Sequence, residues 1–272
     1  MIDLTGWIEG VRTQQPLVHH ITNYVTVNDC ANITLAIGAS PIMADAAEEA
    51  AEIAAMASAV VINIGTLNAR TIPSMIEAGR CANRRGAPVI LDPVGAGASR
   101  LRGETANRLL QAMHVDVLRG NISEIRFIAG LSAATKGVDA AEQDATASAD
   151  AAAMARSLAA RLGCVVAITG KQDVVSDGNR TILIDNGHPM LSRLTGTGCM
   201  CSSLVASCCG AHPGHLFEAT VAGILTMGIA GEIAYEAAGE RGNGSFRVAL
   251  HDAVSRMDDL QLAERARYHE AD

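Results

Sequence analysis

A chain of 272 residues with 49% hydrophobic and 18% charged residues has the apolar mass for a large buried core and is not of disordered composition. Aromatic residues make up only 3%, so that core must be built from Ala, Val, Ile, Leu and Met. A net charge of −8, without any basic cluster, argues against a nucleic-acid partner; small phosphates stay compatible, because loops and helix ends bind them without net positive charge.

The N-terminal stretch MIDLTGWIEGVRTQQP lacks the basic start and apolar run of a secretory signal. The seven cysteines, Cys30, Cys81, Cys164, Cys199, Cys201, Cys208 and Cys209, are odd in number and contain no CxxC pair. Reduced thiols in a cytoplasmic protein are expected, not a disulfide framework or a zinc site.

Along the chain, VHHITNYVTVNDCANITLAIGASPIMADAAEE (18–49) carries Asn23, Asn28 and Asn32 on a loop-to-helix segment ahead of Met43. Neighbouring residues on a strand face opposite sides, so His19 and His20 do not easily share one metal ion. Structural or substrate-lining roles suit them better. Met43 offers a soft apolar contact to a small ring. Helices are expected at 45–57, 68–85, 99–113 and 148–162. Strands are expected at 59–65, 88–95, 115–120 and 164–170, each a short β-branched run ending in Gly or a polar residue. Continuous apolar strands separated by helices predict an α/β fold with a mostly parallel sheet covered on both faces. In the Ala-rich segment 132–161 the first half reads as a surface loop and the second as the helix before the next strand. QDVVSDGNRTILIDNG (172–187) alternates around Asp-Gly and Asn-Gly turns, as an antiparallel edge does. From Thr197 onward the pattern is almost wholly helical. Its most apolar window, 199–235, is interrupted by Gly, His, Pro and Glu and reads as two buried helices with no membrane span. Neither a repeat nor a Pro/Ser linker divides residues 1–272, so one domain is expected.

Ligands of open parallel sheets collect beyond the carboxyl ends of the strands. Here those ends supply Asn63 and Gly65, Asp92-Pro93-Val94-Gly95, Arg119-Gly120-Asn121 and Thr169-Gly170-Lys171. Asn121 and Glu124, three apart at a helix start, share one helical face. The pair fits a capping box as well as it fits metal binding. Arg119 on the same rim suits a phosphate and favours the second reading. TGTGC (195–199) leads into a long helix. Its glycines let backbone N–H groups approach an anion, and the helix dipole adds roughly half an elementary charge. The absence of a following lysine excludes a P-loop.

HHITNYVTVNDCANITLAIGASPIMA, LDPVGAG, VLRGNISEI, AITGKQDVVSDG and LTGTGCMCSSLVA follow one another in this order. Together they closely resemble the hydroxyethylthiazole kinases of the ribokinase-like superfamily. The resemblance implies ATP-dependent phosphorylation of the primary alcohol of 4-methyl-5-(2-hydroxyethyl)thiazole in thiamine salvage. It also implies a ribokinase-like fold and a homotrimer with active sites at subunit interfaces. Carried over residue by residue, Asn23, Met43 and Gly196 contact the thiazole alcohol, and Arg119, Asn121 and Thr169 contact ATP. Asp92 and Glu124, with Asn121, hold Mg²⁺ directly or through water. Gly196, Thr197, Gly198 and Cys199 form the anion hole. Cys199 is the catalytic residue, standing where most ribokinase-like enzymes carry Asp; Cys201, Cys208 and Cys209 read as small packing residues. A helix N-terminus lowers a thiol pKa, whereas a facing phosphate opposes the thiolate. Two rival reactions share these residues. One is ATP-dependent dehydration of hydrated NAD(P)H on the same fold, with Asp in place of the cysteine. The other is acyl transfer by Cys199, which needs a nearby histidine base, and neither His188 nor His212 is compellingly placed for that by the sequence. A non-catalytic thiazole- or nucleotide-binding protein is the remaining reading.

Overall fold

The structure, a computed structural model, describes residues 2–131 and 140–271. The strands are β1 (Leu17–Ile21), β2 (Ser40–Met43), β3 (Ala59–Asn63), β4 (Val89–Asp92), β5 (Val117–Asn121), β6 (Val165–Thr169), β7 (Asp173–Ser176), β8 (Thr181–Ile184) and β9 (Tyr268–Glu270). They form one sheet in the order β2-β1-β3-β4-β5-β6-β7-β8-β9. From β2 to β6 every pairing is parallel. The 172–187 segment is the expected antiparallel hairpin, β7 with β8.

Helices α1 (Trp7–Gln14), α2 (Val27–Ile37), α3 (Ala50–Met56), α4 (Thr71–Arg85), α5 (Arg100–Ala112), α6 (Ile122–Ala129), α7 (Ala140–Leu162), α8 (Thr197–Ala211), α9 (Leu216–Ala238), α10 (Asn243–Arg256) and α11 (Asp259–Arg265) cover the sheet. One apolar core lies between the sheet and α1, α2, α8, α9 and α10, and the other between the sheet and α3 to α7. This is the expected α/β architecture with helices on both faces, folded as a single domain. The 199–235 window is indeed two buried helices, α8 and α9. The stretch Leu216–Arg241 is long and apolar enough to cross a membrane, yet 78% of its apolar window is buried within the fold.

Three local readings change. The C-terminal stretch, expected to be helical throughout, ends in β9, which pairs antiparallel with β8. That pairing covers backbone groups that an exposed edge would leave open. β2 was not anticipated; Pro41 is tolerated there because β2 is an edge strand. The surface loop expected in the first half of 132–161 falls partly outside the described residues, and α7 already begins at Ala140.

β2 pairs with one side of β1 and β3 with the other, so the chain reverses its direction across the sheet at β1. Such a switch leaves a crevice beyond the strand ends. The α8 end of that crevice is set by helix packing without spare room. A Cβ on Gly223 of α9 would lie 2.7 Å from Cα of Val205 in α8, and backbone cannot move aside as a side chain does. Gly223→Ala should therefore destabilise the protein by about 1–3 kcal/mol, the usual cost of overpacking. An unchanged denaturant midpoint would show that α8 and α9 are not in such close contact.

Candidate active site

Side chains alternate across a sheet, and this period-two rule assembles the site. Ala59 and Val61 of β3, Ile90 of β4, Val117 of β5, and Val165 and Ala167 of β6 point into the core beneath α8 and α9. Asn63, Asp92, Arg119 and Thr169 keep the same parity at the carboxyl ends of those strands. All four therefore emerge on the side of the sheet that faces the start of α8. The parallel register sets Asn63 beside Asp92 and Asn121 beside Thr169.

Asp92 is 0% exposed. Its Oδ2 accepts hydrogen bonds from Asn63 Nδ2 at 3.1 Å and Ser202 Oγ at 2.8 Å, and faces Arg119 Nη1 at 3.6 Å. Burial pushes the Asp92 carboxyl up, while Arg119, Ser202 and Asn63 pull it back. Arg119 also donates to Thr169 Oγ1. Burial opposes its charge, but Asp92 and the other anions around it hold its pKa above the ordinary value.

Above this rim, α8 is preceded by Gly196, whose φ of +89° is left-handed and suits glycine. A Cβ there would also lie 2.7 Å from Thr26 Cγ2. No side chain caps α8, so its first N–H groups are available to an anion. The Thr197 hydroxyl is committed elsewhere, donating to Leu191 O at 3.1 Å. A Cβ on Gly198 would lie 2.8 Å from Arg119 Nη1, which places the guanidinium directly against the turn.

Cys199 is buried, and its Sγ accepts from Asn23 Nδ2 at 3.3 Å and Asn63 Nδ2 at 3.2 Å. Burial, then the Asp92 charge, raise its thiol pKa, against hydrogen bonds from Thr26, Asn23 and Asn63. The resting group at neutral pH is thus the thiol. Neither His188 nor His212 attends it: His188 stacks on Tyr235 with centroids 3.7 Å apart, and His212 packs at a tilt against Trp7 with centroids 4.6 Å apart.

A cavity of about 180 Å³ adjoins this cluster, lined by residues that include His20, Tyr24, Met43, Asn63 and Met75. Met43 lies on its wall. Asn23 stands one layer back, donating to Asn63 Oδ1 at 3.1 Å. The paired histidines diverge as their parity requires. His19 Nε2 meets Ala44 O at 2.7 Å, and His20 Nε2 meets Ser203 Oγ at 3.1 Å.

Asn121 and Glu124 do form a capping box. Glu124 accepts from the Asn121 N–H at 2.8 Å and, with its other oxygen, from the Gly95 N–H at 2.8 Å. Each carboxylate oxygen keeps a further lone pair, so capping and metal binding are compatible. Asp92 Oδ1 is buried and accepts no hydrogen bond among the described residues. Among them there is also no cluster of three or more ligating side chains. An orphaned carboxylate oxygen beside a second carboxylate fits Mg²⁺, which keeps most of its water and takes one or two protein carboxylates.

Three contributors escaped the sequence reading. Ser202 lies three residues after Cys199, one helical turn along the same face, a spacing that could have revealed it. Thr26 is brought to Gly196 only by tertiary packing. Asp173 accepts the Gly170 N–H at 2.8 Å, and burial pushes its carboxyl up to about 7. A carboxyl raised in the folded state contributes stability below its unfolded value and loses it as pH rises through the folded one. Relative to Asp173→Asn, the wild-type denaturant midpoint should therefore fall as pH rises from about 4 to about 7. Parallel curves across that window would mean that Asp173 ionises normally.

Known proteins share both the sequence and the fold. The sequence pattern of the Hydroxyethylthiazole kinase family matches residues 8–259. A hydroxyethylthiazole kinase of Ruminiclostridium cellulolyticum is 59% identical over 267 residues, covering 98% of this chain and 97% of that protein. The solved hydroxyethylthiazole kinase protein of Pyrococcus horikoshii is 39% identical, with a TM-score of 0.89 over 99% of each chain. A ribokinase-like superfamily protein of Enterococcus faecalis, 12% identical, shares the fold alone, with a TM-score of 0.61 over 94% of this chain and 90% of that one. With one pattern running through nearly the whole length and the strand-end rim intact beneath α8, the chain belongs to the hydroxyethylthiazole kinase family.

Proposed function

We propose that this protein transfers the γ-phosphoryl group of ATP to the primary alcohol of 4-methyl-5-(2-hydroxyethyl)thiazole, producing the thiazole phosphate used in thiamine salvage. Family membership supports the kinase over a dehydratase of hydrated NAD(P)H. The observation that carries the reading is Asn63, which lines the small cavity and also donates to Cys199 Sγ. A ring held against Met43 would thus have its side-chain alcohol beside Cys199 and the uncapped start of α8.

Arg119, Thr169 and Asn121 would hold the nucleotide phosphates on the strand-end side of that turn. Asp92 and Glu124 would hold Mg²⁺, which neutralises charge on the phosphoryl oxygens when bound. Gly196, Thr197, Gly198 and Cys199 would surround the transferring group with backbone N–H donors. Such a transfer is loose and asks mainly for positioning and charge stabilisation. A cysteine that rests as the thiol already holds a proton, so the Cys199 sulfur serves by accepting the alcohol's hydrogen bond and keeping its oxygen in line. The hydroxyl proton passes late in the transfer to an oxygen of the transferred phosphoryl group.

Tyr24 lines the cavity yet is 79% exposed, and Val25 beside it is 55% exposed. Apolar exposure at the mouth of a substrate cavity supports a homotrimer in which a neighbouring copy closes each site. Seven free cysteines, all buried as thiols, support a cytoplasmic location.

The decisive measurement is ADP release on addition of the thiazole alcohol, with and without Mg²⁺. Turnover that needs both is expected; no turnover in either condition overturns the assignment. For Cys199, an orienting role predicts that Cys199→Ser keeps kcat within about tenfold of wild type while Cys199→Ala loses about 10²-fold. A Ser variant as slow as the Ala variant would instead assign the sulfur a thiolate base role.

A further inference from the structure

Gly196 is pressed against the first turn of α2, and that turn carries an acid. Asp29 is buried, with its Oδ2 3.9 Å from the position a Cβ on Gly196 would occupy. A carboxylate so near a turn meant to receive a phosphoryl group opposes its function. Asp29 Oδ1, however, accepts Arg247 Nε at 2.8 Å and a second hydrogen bond from Arg247 Nη2. Arg247 reaches it from α10, 218 residues along the chain, and is half-exposed. The same α2 turn is tied to the cysteine. Thr26 Oγ1 donates to Asn23 Oδ1 at 3.1 Å, and Asn23 Nδ2 donates to Cys199 Sγ.

Resting on the kinase reading, we propose that Arg247 is a positioning residue that neutralises Asp29, so that the α2 turn supports the anion hole without repelling the phosphoryl group within it. Asp29 alone would serve α2 well, since an acid in the first turn complements the helix dipole. The dipole explains the acid but not its arginine. The location explains both: an unpaired carboxylate against the turn of the proposed anion hole would repel a phosphoryl group held there. Arg247 acts through Asp29, and the proposal gives it no contact with substrate.

The test is a double-mutant cycle read as kcat, as KM for the thiazole alcohol, and as affinity for the thiazole phosphate. Arg247→Gln should lower kcat by about 10- to 100-fold, the scale of one uncompensated charge in a partly buried site. It should weaken product binding in parallel while barely moving KM for the alcohol. Removing the acid as well, in Asp29→Asn/Arg247→Gln, should return kcat to within about threefold of wild type, a strongly non-additive result for two contacting residues. A double variant as slow as the single one overturns the proposal, as does a loss that falls on alcohol KM alone. Melting temperatures of both variants separate loss of the α2–α10 tether from loss of charge balance. If a single variant unfolds, the product affinity of the double variant decides in the same two directions. Wild type inactive on the alcohol would overturn the kinase reading; active wild type without rescue overturns this inference only.

Discussion

The site depends on compensating a carboxylate whose charged form burial disfavours. Asp92 is buried at the end of a central parallel strand, and a buried charge costs several kcal/mol unless it is paired and hydrogen-bonded. Arg119 supplies the opposite charge, and Ser202 and Asn63 supply hydrogen bonds. Each partner has a second task imposed by the first. Arg119, drawn to Asp92, lies against Gly198 and bonds Thr169. Asn63, holding Asp92 with its amide, presents the same amide to Cys199. Ser202 ties α8 to the sheet one turn beyond that cysteine. Loosening Asp92 would release the rim and the turn together.

Glycine makes the approach of these parts possible. At Gly196 the backbone is left-handed and the α2 turn is close; at Gly198 the guanidinium is close. Side chains at these positions would push the turn away from Thr26 and from Arg119. The first turn of α8 is left uncapped, so under the proposed reading its N–H groups face the phosphoryl group with no side chain in between.

The histidine pair and the capping box show how one residue pattern serves packing and function. His19 and His20 diverge to opposite faces, one bonding a carbonyl and the other a serine. The Asn121–Glu124 box is formed in full, and Glu124 also secures Gly95. Local capping thus fixes the Glu124 carboxylate through backbone N–H groups alone, a form of preorganisation that would suit the proposed phosphoryl transfer.

Much of this was legible in the chain. Apolar runs separated by Ala-rich helices specified a parallel sheet with helices on both faces. The strand-end residues and TGTGC marked the rim, because parallel strands all present their carboxyl ends to one edge. Period-two parity even determined that His19 and His20 part. What tertiary structure alone decided is how residues far apart in the chain compensate one another. Register set Asn63 against Asp92, burial kept Cys199 a thiol, and the packing of α2, α8 and α10 brought Thr26, Asp29 and Arg247 to Gly196. Periodicity reports which side a residue faces, whereas charge balance and desolvation depend on distances between elements that no local pattern contains.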